Sequence, residues 1–282
     1  MNISIVIPAY NEETVIGQIV AHIHSLYPAF EIIVIDDGST DNTANKAREA
    51  GAKVFQHPYN IGNGAAVKTG IRKASGDVIV LMDGDGQHDP ADIARLLEES
   101  GHYDMVVGTR HGSSQASLGR RIANWFYNKL ASYVAKYPIK DLTSGFRVLH
   151  KDTVIKFLYL FPNTFSYPTT STLTYLRSGH TIKYIPICQH RRIGKSKIKL
   201  LEDGSRFILI ILRIATLFSP MRIFLPVSAF FLLTGLVYYI YSYCTHHSFT
   251  NMSALLLSVG IMVFLMGLIS EQITQMRYDR VE

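Results

Sequence analysis

The chain has 282 residues, enough for one large domain or two smaller ones, and is 48% hydrophobic, with its long uncharged runs gathered beyond about Phe207. Its formal charge of +6 comes from 28 Lys and Arg against 22 Asp and Glu, and many basic residues lie between Lys183 and Arg222, just ahead of the apolar runs. That placement suits anionic lipid headgroups, and the absence of a recognition-helix or zinc-finger pattern argues against nucleic acid as a partner. Cys188 and Cys244 are the only cysteines, far apart and with no metal-spaced neighbours, so no disulfide framework is implied and a reducing cytosol is compatible.

The opening segment "MNISIVIPAYNEE" lacks a basic leader, and its apolar part is too short for a secretory signal; it reads as a first strand. Short apolar runs then alternate with helical patterns. "ISIVIP" precedes a helix over Glu12 to Tyr27, "EIIVIDD" one over Asn42 to Ala50, and "KVFQH" one over Asn63 to Ala74. "DVIVLMD" precedes a helix over Pro90 to Ser100, with Asp89 as N-cap and Pro90 in the first turn, and "DMVVGTR" closes the series. Val- and Ile-rich strands alternating with helices predict an α/β fold whose parallel sheet is covered on both faces.

Further on, Ser117 to about Ala135 reads as a helix, "IKDLTSGFRVL" as a loop entering another strand, and "TIKYIPICQHRR" as a late strand ending in a basic loop. Leu200 to Phe218 mixes a long apolar surface with Arg206 and Arg213, the pattern of a helix lying in a membrane interface. Ile223 to Tyr243 and Met252 to Ser270 carry no charge, and each is near the roughly 20 residues that cross a bilayer core as a helix. The linker "CTHHSFTN" has no Lys or Arg. The flanks carry Lys195, Lys197, Lys199, Arg206, Arg213, Arg222, Arg277 and Arg280, so the positive-inside rule puts both flanks in the cytoplasm. The expected organisation is a soluble domain over residues 1–199, an interfacial helix over 200–221 and a membrane hairpin with a short tail over 222–282.

In open parallel sheets ligands bind outside the carboxyl ends of the strands. The loops leaving those ends read "PAYNEE", "DDGSTDNT", "HPYNIGNG" and "DGDGQHDP". The last places Asp83, Asp85 and Asp89, with Gln87 between, directly after a buried-strand pattern. An EF-hand would need Gly at the sixth position and Glu at the twelfth, where this chain has His88 and Ala94. A turn and a site for Mg²⁺ or Mn²⁺ carrying phosphates remain, and the neighbouring polar loops favour the cation. A dinucleotide fold is disfavoured because "PAYNEE" has no glycine, while Gly62, Gly64 and Gly70 fit close helix packing as well as ligand contact.

"IVIPAYNEE", "VIDDGSTD", "NIGNGAAVKTG", "GDVIVLMDGDGQHDP", "VGTR" and "TSGFR", in this order, resemble the inverting family-2 glycosyltransferases of the GT-A fold. With "GKSK" and two C-terminal apolar spans, the chain is most similar to the polyprenyl-phosphate glycosyltransferases, which include dolichol-phosphate mannose synthases. The resemblance implies a GT-A domain with a mostly parallel sheet, a nucleotide-sugar donor, a polyprenyl-phosphate acceptor and a divalent metal. By position it implies that Pro8, Tyr10 and Glu12 form a nucleotide-binding loop, that Asp37 contacts the base, and that Asp83, Asp85 and Gln87 serve the metal. Arg110, Arg192 and Lys197 would stabilise the leaving nucleoside diphosphate. Arg121, Ser144 and Arg147 would hold the acceptor phosphate, since the Arg fork suits phosphate; an ion pair of Arg147 with Asp141 is the structural competitor. The acceptor is itself an anionic nucleophile, so a strong general base is not required.

Two departures qualify the resemblance. Gly84 and Gly86 stand where many relatives carry Ala and Leu, which implies a more flexible metal loop, and Arg191 beside Arg192 leaves open which one faces the site, as it is for Arg120 and Arg121. A processive polysaccharide synthase is disfavoured because the lone Trp125, in "ANWFYN", does not supply a Q-x-x-R-W element; a non-catalytic scaffold retaining the nucleotide-sugar fold is the other alternative. His246 and His247 read as a solvated loop. The sugar, the base and the oligomeric state are not legible.

Overall fold

The computed structural model describes residues 2–110, 118–164, 166–187, 209, 211–213, 215–216 and 219–278, with the backbone alone over 118–124 and 277–278. It divides into two compact units, residues 1–210 and 211–282.

The first unit is built on strands β1 (Ile3–Ala9), β2 (Glu31–Asp36), β3 (Lys53–Gln56), β4 (Val78–Leu81), β5 (Met105–Arg110), β6 (Arg147–His150) and β7 (Ile182–Ile187) in one sheet ordered β3-β2-β1-β4-β6-β5-β7. β1 pairs in parallel with β2 and β4, β2 with β3, and β5 with β7. β6 runs antiparallel between β4 and β5, so the sheet is mostly rather than wholly parallel.

Alternation along the strands assigns the two faces. Ile5, Ile7, Val34 and Val80 join a core with Ile16, Val20 and Ile23 of α1 (Ile16–Leu26) and Ile93 and Leu96 of α4 (Asp92–Glu98). The intervening Val6 and Ile35 face α3 (Asn63–Lys73), where a Cβ on Gly70 would lie 2.2 Å from Val6 Cγ1. α2 (Thr43–Glu49) packs beside α1 and β3.

α1 begins at Ile16 rather than Glu12. Ahead of it the backbone N–H groups of Asn11, Glu12 and Glu13 donate to Ser39 Oγ, Thr43 Oγ1 and Asp41 Oδ2 at 2.9, 2.9 and 3.2 Å. In return Asn11 Oδ1 and Glu13 Oε2 accept from the amides of Thr40 and Asn42, so the loops after β1 and β2 are laced together. Asp89 accepts from the Ala91 amide at 2.9 Å, capping the turn that leads into α4 at Asp92.

After α5 (Leu118–Ala135) come α6 (Lys151–Phe157), a short 3-10 turn (Leu158–Leu160) and α7 (Tyr167–Arg177), three elements the sequence reading did not place. α7 explains why: "YPTTSTLTYLR" has no apolar stripe at helical spacing, yet Thr169, Thr170, Ser171, Thr172 and Thr174 are all buried.

In the second unit two helices, Met221–His246 and Asn251–Tyr278, form a hairpin. Both are long and apolar enough to cross a membrane. Glycines allow the close approach: a Cβ on Gly260 would meet Leu232 Cγ at 2.7 Å, and one on Gly267 would meet Phe224 Cβ at 2.7 Å. Ser228 Oγ donates to the Gly260 carbonyl at 2.8 Å, a polar tie between two apolar helices. The segment expected to lie in the membrane interface, residues 200–221, falls mostly outside the described residues.

Candidate active site

The carboxyl end of β4 delivers Asp83 into a pocket lined by Asn63, Asp83, Thr143, Gly145, Ser166, Tyr167 and Pro168, about 330 Å³ with the solvent at its mouth. A Cβ on Gly145 would sit 2.4 Å from Asp83 Oδ2, so only glycine lets the carboxylate rest on that backbone. His88 Nε2 lies 3.6 Å from the same oxygen, and the buried His88 ring stacks at 5.1 Å, tilted, against Phe146. Beyond Asp83 the chain turns tightly, with the Gln87 amide donating to Asp85 Oδ1 at 3.2 Å.

The glycines of this turn have structural uses of their own. Gly86 has φ +74°, and a Cβ on Gly84 would stand 3.1 Å from the Pro8 carbonyl. Pro8 is buried, while Tyr10 and Glu12 are partly exposed where β1 ends beside this turn.

Asp37 is buried and its carboxylate is occupied by its own chain. Oδ1 contacts His57 Nδ1 at 2.7 Å and accepts from the Ile61 amide at 3.1 Å, and Oδ2 accepts from the Gly62 amide at 2.8 Å. These bonds make Asp37 an organiser of the loop after β3. The glycines that follow pack against backbone, a Cβ on Gly62 meeting the Asn163 carbonyl at 2.6 Å and one on Gly64 the Pro162 carbonyl at 2.0 Å.

The segment "DLTSGFR" forms the floor of the pocket, and nearly every residue in it is tied down. Arg110 donates from Nε and Nη2 to Asp141 at 2.8 Å each, and Nη2 also reaches Thr143 Oγ1. Burial disfavours the Asp141 carboxylate, but the hydrogen bonds and charge of Arg110 outweigh it and hold the carboxyl below its usual range. Ser144 Oγ donates to the Gly108 carbonyl at 2.6 Å, and Tyr167 OH to the Gly145 carbonyl at 3.1 Å. Burial, with Asp83 nearby, pushes the Tyr167 phenol well above its usual range, so it stays a donor.

Arg147 is wholly buried. It donates to the Ser144 carbonyl at 2.7 Å, to Ser171 Oγ at 2.9 Å and to Thr172 Oγ1 at 2.7 Å. Burial lowers its pKa, outweighing the opposing pull of Tyr167, Tyr184, Asp141 and Asp83. Ser144 and Arg147 are buried and tied to the backbone and hydroxyls around the floor, and Asp141 pairs with Arg110, through Nε and Nη2, rather than with Arg147. The Arg121 side chain, and all of Arg192 and Lys197, lie outside the described residues.

Several residues of the pocket escaped the sequence reading. Asn63, Thr143, Gly145, Ser166 and Tyr167 come together only through the fold. Ser166 is strained, with φ +85° and a buried hydroxyl that has no hydrogen-bond partner among the described residues. A left-handed serine has no periodic signature, whereas "SGF" beside the acidic loop motif could have flagged Gly145.

The donor set fits a hard divalent cation. Asp83, Asp85 and Gln87 offer oxygen ligands, and Asp83 is aimed into the pocket over a bare glycine. Among the described residues no cluster of three or more His, Cys, Asp or Glu is assembled, so an ion here would complete its shell with water and phosphate oxygens.

Comparison with known proteins agrees with this arrangement. Residues 4–158 match the family Glycosyl transferase family 2, and residues 219–276 match the GtrB C-terminal hairpin. The dolichol-phosphate mannosyltransferase of Pyrococcus furiosus is 36% identical over 172 residues, 55% of this chain and 47% of that protein. The undecaprenyl-phosphate 4-deoxy-4-formamido-L-arabinose transferase of Pectobacterium carotovorum is 26% identical over 99% of this chain and 90% of its own length. The dodecaprenyl-phosphate galacturonate synthase of Rhizobium johnstonii is 31% identical over 55% of this chain and 49% of that protein. The chain thus spans about half the length of two of these relatives and most of the third. The fold is shared with glucosyl-3-phosphoglycerate synthase from Mycobacterium tuberculosis, solved with Mn²⁺, UDP and glucosyl-3-phosphoglycerate, at a TM-score of 0.63 and 22% identity over 76% of this chain and 80% of that one.

Proposed function

The chain belongs to glycosyl transferase family 2, and from that premise we propose that it transfers a sugar, with inversion, from a UDP- or GDP-linked donor to a polyprenyl phosphate at the cytoplasmic face of a membrane. The observation that carries this reading is the pocket itself: among the described residues Asp83 is the one carboxylate lining it, and the chain that builds it also carries two helices able to span a bilayer. A hydroxyl acceptor would call for a general base, whereas a lipid phosphate arrives already ionised. The three relatives carry names with different sugars and different polyprenyl groups but a common polyprenyl phosphate, which is why the acceptor is assigned and the sugar is not.

In this reading the end of β1 and the loop after it, through Pro8, Tyr10 and Glu12, receive the nucleotide, and Asp37 on the neighbouring loop contacts the base. Asp83, Asp85 and Gln87 hold Mg²⁺ or Mn²⁺, which would neutralise charge on the departing diphosphate. Arg192 and Lys197 add positive charge at that leaving group, and Arg121 supplies a fork to the acceptor phosphate. Residues 1–199 form the catalytic domain, 200–221 the interfacial segment and 222–282 the membrane hairpin, with both flanks cytoplasmic because the basic residues lie there and the linker has none.

The test is Asp85→Ala. The purified variant is expected to retain its thermal transition and its membrane insertion while losing both transfer and the enhancement of nucleotide binding by Mn²⁺; substantial residual transfer would remove Asp85 from the metal site.

A further inference from the structure

We propose that the sugar this chain transfers carries no acidic group and that Asn63 selects it by reading its hydroxyls, an inference that rests on the glycosyltransferase reading above and narrows its donor. Asp83 lines the pocket, whereas Asp85 and Gln87, in the same turn, do not. A metal held on their side keeps the diphosphate there. The pocket beyond Asp83 then receives what the diphosphate carries, the sugar.

The surroundings of that pocket disfavour an anion. Asp83 is the one charged side chain among the described lining residues. Cations stand nearby, and each is spent on its own chain. Arg110 pairs with Asp141 at 2.8 Å, and Arg147 serves the Ser144 carbonyl, Ser171 and Thr172. Lys68 of α3 donates to the Phe161 carbonyl at 3.2 Å and to Asn163 Oδ1. Backbone donors are committed as well. α3 begins at Asn63, and the first-turn amides that could meet a phosphate go elsewhere: Gly64 donates to the Thr164 carbonyl at 2.8 Å and Ala65 to the Asn163 carbonyl at 2.7 Å. α7 brings Pro168 to the wall in its first turn, and proline has no N–H to give. A carboxylate or phosphate on the sugar would thus face Asp83 with no cation among the described lining residues to offset it. A hydroxyl finds in Asp83 an acceptor.

Asn63 supplies the complementary group. Its side chain is exposed at the pocket, and its amide has no hydrogen-bond partner among the described residues. The amide can both donate and accept, as a sugar hydroxyl does. Other polar groups of the wall are already engaged, Thr143 Oγ1 with Arg110 and Asp141, and Tyr167 OH with the Gly145 carbonyl. The backbone under Asn63 is held from both directions. Asp37 accepts from the Ile61 and Gly62 amides ahead of it, and the carbonyls of Asn163 and Thr164 take the amides that follow. Asn63 therefore presents an open amide from a fixed position.

Binding is measured by calorimetry on the full-length protein in detergent with Mn²⁺, comparing UDP-glucose with UDP-glucuronate and GDP-mannose with GDP-mannuronate. UDP and GDP are the references. Within each pair the sugars differ only in whether the terminal carbon is a hydroxymethyl or a carboxylate. In the pair whose base the chain accepts, the uronate is expected to bind more weakly than its uncharged counterpart by about tenfold or more. Asn63→Ala should weaken the uncharged donor by about tenfold, the scale of one hydrogen bond, and leave the free nucleoside diphosphate unchanged. Asn63→Lys should narrow the gap within the pair by adding the missing cation. Both variants should keep the native thermal transition, since the Asn63 side chain ties nothing among the described residues. Equal affinity for the uncharged donor and its uronate would overturn the proposal while leaving the enzymatic reading in place. Equal weakening of donor and free nucleotide in Asn63→Ala would overturn it in favour of a nucleotide contact, and no weakening of either would remove Asn63 from the site. Absence of binding by every nucleotide would overturn it together with the reading on which it rests.

Discussion

Asp83 Oδ2 lies where a Cβ on residue 145 would approach to 2.4 Å, so the carboxylate proposed to serve the metal is seated on a glycine 62 positions later in the sequence. The seat is braced from behind by Tyr167, whose hydroxyl donates to the Gly145 carbonyl. Gly145→Ala is therefore expected to displace Asp83 without disturbing the core. Transfer should fall by about 10²-fold, the scale on which a misplaced catalytic group costs rate, with a raised Mn²⁺ requirement and an unchanged melting temperature as the accompanying measurements.

The pair of Arg110 and Asp141 supports the same floor from the side. Asp141→Asn leaves a largely buried guanidinium without its counter-charge and is expected to destabilise the first unit by roughly 3 kcal/mol, measured as a shift in thermal unfolding. The pH dependence follows from the lowered pKa of Asp141. A carboxyl whose folded pKa lies below its unfolded value of about 3.9 stabilises fully above that value and loses its contribution as pH falls through the folded pKa. The native protein should thus lose stability on acidification below about pH 4, and the variant should lose less of it there.

Arg147 separates a structural role from an acceptor-binding one. Its guanidinium satisfies the Ser144 carbonyl and the hydroxyls of Ser171 and Thr172 in a site with no solvent exposure. Arg147→Ala should cost about 3 kcal/mol or more of stability through unsatisfied groups and a cavity. Arg147→Lys should recover little, because a point charge cannot replace the fork. A variant with normal stability and a selectively raised KM for polyprenyl phosphate would return Arg147 to the acceptor site.

Orientation can be read chemically. Cys244 is exposed at the linker end of the hairpin. With both flanks cytoplasmic, a membrane-impermeant maleimide added outside intact cells should label Cys244 in a Cys188→Ser background. Labelling only after permeabilisation would reverse the topology.

The strand-and-helix alternation of residues 2–110 was legible because each β-strand is a short Val- and Ile-rich run bounded by polar turns, as in "EIIVIDD". The hairpin was legible from charge-free length. The polar helix α7 was not, since its serines and threonines are buried by hydrogen bonds and by Arg147 rather than by a stripe of apolar residues. The antiparallel insertion of β6 was equally hidden, because strand direction depends on where the chain returns and not on composition. The acidic loop drew attention to Asp83, which lines the pocket, but motif position could not tell a residue that faces the pocket from one that holds its walls. Asp37, Ser144 and Arg147 all sit in conspicuous motifs, and all three turn their polar groups onto their own chain. Conversely, the pocket-lining Ser166 and Tyr167 stand in "TFSYPTT", where no spacing rule singles them out.

The most direct measurement is transfer of label from a panel of UDP- and GDP-sugars into organic-extractable lipid by the purified full-length protein in detergent. Polyprenyl phosphate is supplied, with and without Mn²⁺ or Mg²⁺. The account predicts label in the lipid fraction from one donor, dependent on the divalent ion and on the polyprenyl phosphate. Nucleotide binding or donor hydrolysis with no lipid product would contradict the assigned acceptor, and no nucleotide binding at all would contradict the enzyme.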